Sequence, residues 1–378
     1  MTDVGILPLD PHSCNYGGVL QTVALQDAVK DLGMRCEIIQ YSRWNEHGTF
    51  SPKRGLRYLT ADKVFSRFYD MYNAHSTLDT QSDYTETYSV RFRKFWQEHL
   101  ILSERIDAKT LREKRLPYDA LICGSDQIWN PDYNIPAFFL DFAHPDQKRI
   151  IYAASIGKDR LTNLQKTIYQ SYLRDLDDIS VREESAQKMI SKISGKPVHL
   201  VLDPTLLHTK EYWMEKMSDE PLETSRYIFC YFLEFTKEKT EAAREFAQAH
   251  KCKVVIIPFL HGKKEKYSDI CADESVQDAS PADFLRLIYD AEFVLTDSFH
   301  ATVFSLIFRK QFWVFGRGKG KQNMNTRIDT LLGYFHLSAR MISPSALSEQ
   351  SDRIVYSEED CLEEARRESL QFLKKALV

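Results

Sequence analysis

The stretch Phe293–Phe308, FVLTDSFHATVFSLIF, puts an imidazole and two helix-capping residue types at the junction of two apolar runs. β-Forming residues stop at Thr296-Asp297-Ser298, and a second apolar run begins at once with His300 near its start. Asp297 or Ser298 can cap a helix there, leaving first-turn N–H groups that favour an anion. An imidazole beside that anion can deliver a proton. A histidine hydrogen-bonded inside a buried helix would give the same sequence. Comparable polar clusters follow other apolar runs: Cys14-Asn15-Tyr16-Gly17-Gly18, Gly124-Ser125-Asp126-Gln127-Ile128-Trp129, Ala154-Ser155-Ile156-Gly157, Val181-Arg182-Glu183 and Asp203-Pro204. Gly17 and Gly18 let backbone approach a ligand closely, and the N–H groups of the helix after them suit an anion or a polar sugar. An ordinary turn would use the same glycine pair. Neither GxGxxG nor GxxxxGK[ST] occurs, so the dinucleotide and ATPase readings lack their fingerprints.

The elements that must position these residues are legible as a rhythm. VGILPL, CEIIQY, YDALICG, RIIYAAS and DISVRE read as strands, and VLQTVALQDAVKDLG reads as an amphipathic helix ending at Gly33. After Lys196-Pro197 the rhythm restarts with VHLVL, YIFCYF, KVVIIP, EFVLT and FWVF, separated by helical segments such as TKEKTEAAREFAQAH and PADFLRLIYDA. This predicts an α/β protein of two Rossmann-like domains facing a cleft. The expected division is an N-terminal domain over 1–190 with a helical insertion at about 50–110, a C-terminal domain over 191–345, and a helical tail over 346–378. In such sheets ligands collect beyond the carboxyl ends of the strands, where the polar clusters fall. Arg54–Tyr72 and RFRKFWQEHL (Arg91–Leu100) mix aromatic and basic residues, as would an amphipathic membrane contact or helices that cover a sheet.

Composition narrows the function classes. The 378 residues are 28% charged and 43% hydrophobic, with a formal net charge of -4, so no overall field recruits nucleic acid. Seven cysteines, at 14, 36, 123, 230, 252, 271 and 361, show no CxxC pair and no metal-site spacing, which fits a reduced, cytoplasmic protein without structural zinc. No run of about 18 apolar residues occurs, so at most peripheral membrane contact is expected.

Taken together, NYGGVLQTVAL, GSDQIWN, YAASIG, ISVREES, LVLDPTLL and TDSFHATVFSLIF, in this order from about residue 15 to about residue 310, resemble the polysaccharide pyruvyl transferase family. The resemblance implies a GT-B-like pair of domains and transfer of the enolpyruvyl unit of phosphoenolpyruvate to a glycan, in bacterial cell-surface polysaccharide (exopolysaccharide) biosynthesis. The usual product is a cyclic pyruvate ketal on one sugar, with phosphate released. Phosphoenolpyruvate is then a co-substrate, no cofactor or metal is implied, and the glycan acceptor, free or lipid-linked, is met in the cytoplasm or at the inner face of the membrane. Alternatives are a GT-B nucleotide-sugar glycosyltransferase and a non-catalytic glycan-binding protein. The first lacks a carboxylate between Ser298 and Gln311 to hold a donor ribose.

On this reading the catalytic candidates are His300 as acid and Asp126 as base toward the attacking hydroxyl. Arg182, Ser298 and Arg327 are the donor-binding candidates. Arg182 would equally serve in an ion pair with Glu183, Glu184 or another carboxylate. The acceptor candidates are Asn15, Tyr16, Gly17, Gly18, Ser125, Gln127, Trp129 and Asn130. Trp129 would stack on a sugar or lie in the core, and Asp126 would also suit a cap. One departure stands out: many family members carry an arginine two residues before this histidine, where this chain has Ser298. Arg327, or the basic loop HGKKEK at His261–Lys266, would have to replace that cation.

Overall fold

The computed structural model describes residues 2–10, 14–41, 86–133, 135–258, 272–317, 325–350, 353–356 and 359–378. Arg54–Tyr72 and His261–Lys266 lie outside these residues, as does any ordering of the insertion before residue 86.

Two parallel sheets carry the chain. The first has seven strands: β1 (Asp3–Leu7), β2 (Arg35–Tyr41), β3 (Leu102–Ile106), β4 (Ala120–Asp126), β5 (Lys148–Ala154), β6 (Asp178–Val181) and β7 (His199–Leu200), in the order β3-β2-β1-β4-β5-β6-β7. The second has six: β8 (Tyr227–Tyr231), β9 (Lys253–Ile256), β10 (Glu274–Ser275), β11 (Phe293–Thr296), β12 (Gln311–Phe315) and β13 (Met341–Ile342), in the order β10-β9-β8-β11-β12-β13. Each sheet starts in its middle, winds to one edge, returns and winds to the other, the doubly wound order of a Rossmann unit. The inner strands are buried on both faces, which is why ICG, IIYAA, IFCY and FVLT read as continuous apolar runs.

Two strands sit differently from the sequence expectation. Leu102–Ile106 falls in the span read as a helical insertion, yet it forms the edge strand β3, pairing with β2 through Ile38↔Leu102 and Tyr41↔Ile106. Its sequence, LSERI, is half exposed and carries no apolar run, so pairing rather than composition defines it. His199–Leu200, read as opening the second unit, pairs with β6 through Ser180↔His199 and completes the first sheet. A local pattern announces a strand but not its neighbour.

The units meet over a broad face. The helix Tyr16–Asp31, capped by Asn15 accepting from Gly18 N (3.0 Å), sends the Tyr16 hydroxyl to Ala279 O (2.8 Å) and stacks its ring on Phe284 (4.7 Å between centroids). The helix Glu86–His99 adds the Arg91–Asp283 ion pair at 2.7 Å. The C-terminal helix Glu359–Leu377 returns to the first unit: Ser369 Oγ accepts from Leu202 N (2.9 Å), Arg366 Nε donates to Leu206 O (3.1 Å), and Phe372 packs near Tyr152. No described helix is long and apolar enough to cross a membrane.

Candidate active site

Strand order reverses between β1 and β4 in one sheet and between β8 and β11 in the other, and crevices open at those points. The carboxyl end of β4 presents Ser125-Asp126, β6 leads into Arg182-Glu183, and β7 into Asp203. From the other unit, the helix Phe299–Ile307 brings His300 against them. All four side chains of the cluster Asp126, Arg182, Asp203 and His300 are buried or nearly so.

Arg182 is its centre. Nη1 donates to Asp203 Oδ2 at 2.5 Å and Nη2 to Asp126 Oδ1 at 2.8 Å, while Cζ lies 4.5 Å above the Phe299 ring. The ion-pair alternative for Arg182 is therefore realised, with Asp126 and Asp203 as the carboxylates. Both terminal nitrogens are committed, and Nε has no hydrogen-bond partner among the described residues. Burial would lower the guanidinium's pKa, but Asp203, Asp126 and Glu183 outweigh it and raise it. Burial likewise pushes Asp126 and Asp203 up; Arg182 leads the charges that reverse this and hold both below the ordinary carboxylate range, with His300 and Arg327 adding at Asp126, and His300 and Thr205 at Asp203. Glu183 accepts from Ser155 Oγ and Ile156 N at 2.9 Å each through Oε1, while buried Oε2 has no partner. Burial wins there and its pKa is raised. Asp126 also has a left-handed φ of 67°, a conformation that non-glycine residues seldom take and that is found disproportionately at functional sites.

His300 is 8% exposed. Its Nε2 faces Asp203 Oδ2 at 3.7 Å, an ion-pair rather than a hydrogen-bond separation, and has no hydrogen-bond partner. The ring lies so close to the first turn of Tyr16–Asp31 that a Cβ on Gly17 would stand 2.0 Å from Nδ1. Gly17 thus permits close approach, as its sequence suggested, but what approaches is the imidazole. Gly18 is different, since a Cβ there meets Asn15 at an ordinary 3.6 Å.

Arg327, on the helix Thr326–Tyr334, completes the group from the second unit. It is buried, its nearest carboxylate oxygen is Asp126 Oδ1 at 4.0 Å, and its Nε has no partner. Burial, with Arg182 next, lowers its pKa to about 10. Arg317 also acts on it electrostatically and carries a second buried, unpartnered Nε. The Gln127 amide sits between Asn130 (2.9 Å) and the Arg327 guanidinium (3.0 and 3.1 Å). Arg327, at the edge of ion-pair distance from Asp126, and Arg317 thus add cationic charge beyond Arg182.

Several candidates have other duties. Trp129 is fully buried, stacks on Phe139 at 5.4 Å, and donates Nε1 to Phe138 O, so it is a core residue and offers no face to a sugar. Tyr16 is spent on the contact between units. Asn15 caps its helix. Ser125 is buried inside the cluster, its Oγ 3.1 Å from Ala153 O and 3.3 Å from Asp203 Oδ2. Ser298 caps the His300 helix, accepting from Ala301 N at 3.5 Å. Asp297 does not cap; it accepts from Leu233 N, Glu234 N and Lys239 Nζ (2.6, 3.1 and 2.8 Å) and ties the β8 loop to the β11 loop. Asp126, locked to Arg182 with a lowered pKa, is poorly matched to general-base work and fits an anchor.

Asp203 was read from LVLDP as a strand-end carboxylate but given no role in the site, and two further participants escaped the sequence reading. Gln21 accepts from Ser125 N at 3.0 Å, and its signal was a polar residue on an otherwise apolar helix face. Arg317 had no local signal. Among the described residues, no group of three or more His, Cys, Asp or Glu side chains is placed to hold a metal ion.

The paired doubly wound units and the crevice between them are those of the GT-B fold. A protein of Listeria monocytogenes assigned as a UDP-N-acetylglucosamine 2-epimerase superposes with a TM-score of 0.52 at 10% identity, covering 99% of this chain and 90% of its own. The UDP-N-acetylglucosamine 2-epimerase of Rickettsia bellii gives 0.49 at 11% identity over 100% and 97%. An Escherichia coli heptosyltransferase gives 0.39 at 11% over 88% and 99%. No curated protein matches the sequence. Residues 15–319 match the polysaccharide pyruvyl transferase family, and the chain belongs to that family.

Proposed function

We propose that the protein is a ketal-forming pyruvyl transferase that moves the enolpyruvyl unit of phosphoenolpyruvate onto two hydroxyls of one glycan sugar. The observation that supports it best is the gathering of His300, Arg182 and Arg327 around Asp126 and Asp203 at the crevice between the units, with Arg317 close enough to Arg327 to act on its charge. A donor carrying a phosphate and a carboxylate calls for planar cationic donors of this kind. Arg327 and Arg317 take the place of the arginine that Ser298 displaces; Arg182, held between two carboxylates, organises the site.

His300 gives a proton to the methylene carbon of the donor, which becomes a methyl group as positive charge develops on the adjacent carbon. Asp203, 3.7 Å from Nε2, offsets the charge of the ring while it carries that proton. One sugar hydroxyl adds to the carbon and its proton returns to the imidazole. Phosphate leaves, and the second hydroxyl closes the ring, its proton departing with the phosphate. Phosphoenolpyruvate is consumed as a co-substrate without a separate cofactor. Cytoplasmic phosphoenolpyruvate places the reaction in the cytoplasm, at the inner face of the membrane when the acceptor is lipid-linked.

The test is release of inorganic phosphate from phosphoenolpyruvate on addition of a glycan acceptor, in the presence of a chelator. Acceptor-dependent release with a ketal visible by NMR supports the proposal. Turnover only with a nucleotide sugar would refute it.

A further inference from the structure

A cavity of about 190 Å³ lies against the charged cluster. It shares Arg182, Asp203 and Phe299 with the cluster, whereas His300, Asp126 and Arg327 do not line it. Its floor is the link after β7, with Leu202 and Leu206; its walls are Leu331 and Ala365 from the Thr326–Tyr334 and Glu359–Leu377 helices. Tyr334, 37% exposed, and Glu368, also exposed, stand at its mouth.

We propose that this cavity binds one neutral sugar ring of the acceptor glycan, the neighbour of the ring that reacts. The inference rests on the pyruvyl-transfer reading and adds a place for the acceptor, which the buried Trp129 and Tyr16 do not supply.

Charge selects the ligand. Among the described residues the only cation in the lining is Arg182, already bound by two carboxylates, and Glu368 adds a further negative charge. An anionic donor is repelled, while a neutral ring with hydroxyl donors is not. Shape agrees: a tyrosine ring and apolar walls suit the C–H face of a pyranose, and Glu368 and the Thr330 hydroxyl offer polar contacts for its edge. The volume lies below the ~300–1,000 Å³ of pockets for drug-sized ligands and suits a single ring rather than a chain. Contiguity with Arg182 and Asp203, without contact to His300, sets that ring one residue away from the reacting centre.

The experiment uses the full chain and the methyl glycosides of glucose, galactose, mannose and N-acetylglucosamine, with binding read by saturation-transfer NMR. At least one glycoside is expected to bind with a millimolar Kd, the range of a single small contact surface. Tyr334→Ala opens one side of the mouth, and Ala365→Phe fills the cavity; each should weaken that binding about tenfold or more. His300→Gln, outside the cavity, should leave it unchanged. Because Ala365 is buried and its replacement can disturb folding, the exposed Tyr334 variant carries the decision. Binding that survives Tyr334→Ala in folded protein overturns the proposal, as does failure of every glycoside while benzyl alcohol binds. Glycoside binding with this mutational pattern but no phosphoenolpyruvate turnover would refute pyruvyl transfer and leave the sugar site standing. Turnover with no glycoside bound would do the reverse.

Discussion

Substituting Gly17 by alanine tests whether the first helix sets the position of the imidazole. The new methyl carbon would stand 2.0 Å from His300 Nδ1, 2.4 Å from Cγ and 2.6 Å from Cε1. Non-bonded heavy atoms rest at about 3.5–4.0 Å, so about 1.5 Å of clearance has to be found. The helix start is tied down by the Asn15 cap and by the Gln21–Ser125 bond, and the ring, whose Nε2 has no hydrogen bond, is the part that yields. Overpacking of this kind costs ~1–3 kcal/mol. Replacing a helical glycine by alanine returns ~1 kcal/mol. The net destabilisation is therefore about 0–2 kcal/mol, a fall in Tm of no more than several degrees. Displacing a proton donor by about 1 Å costs on the order of 10²-fold in rate. The expected signature is a folded protein whose kcat falls about a hundredfold while Tm hardly moves. Gly18→Ala is the matched control: its Cβ makes an ordinary 3.6 Å contact, so kcat should hold and Tm should rise slightly. Circular dichroism melts and phosphate-release kinetics on the two variants decide the matter. If Gly17→Ala keeps near-normal kcat, or if the two variants behave alike, the contact does not position the imidazole.

His300→Gln should lower turnover by about 10²–10⁴-fold with a smaller effect on donor KM, and a folded variant with normal turnover would make His300 a packing residue. Arg327→Met and Arg317→Met should each raise the KM for phosphoenolpyruvate about tenfold or more, whereas an unchanged donor KM in steady-state assays would return the anion role to Arg182. Asp203→Asn takes one partner from buried Arg182 and should destabilise by about 3–5 kcal/mol at neutral pH. Because Asp203 titrates below its unfolded value, the stability it contributes is present above the unfolded carboxylate pKa of ~3.9 and is lost as pH falls toward the folded one. The Tm gap between wild type and variant should therefore narrow in melts below about pH 4; a gap that stays constant refutes the ionic account. Glu183→Gln keeps an acceptor for Ser155 and Ile156 and removes a charge that burial disfavours, so it should match or exceed wild-type Tm at neutral pH and lose that advantage in acid, where the native carboxyl is protonated.

The βαβ rhythm and the family motifs were legible in the sequence because inner parallel strands are buried on both faces and print as unbroken apolar runs, with polar residues gathered where they end. That local signal put His300, Asp126, Arg182 and Asp203 at strand ends; the helix that carries Arg327 was not read from it. It could not say which ends face each other. Arg182 meets Asp126 across 56 positions and Asp203 across 21, and His300 reaches them from the other unit, so their pairing follows from strand order and from the packing of the two units. The same limit left β3 unseen, since an edge strand with exposed residues carries no apolar run. It also made Trp129 and Tyr16 look available to a sugar, because an aromatic after a strand has the same letter whether it faces solvent or a neighbouring helix. Residue type and spacing record what each segment can do alone; burial and charge partners are properties of segments brought together, and only the tertiary structure decided those.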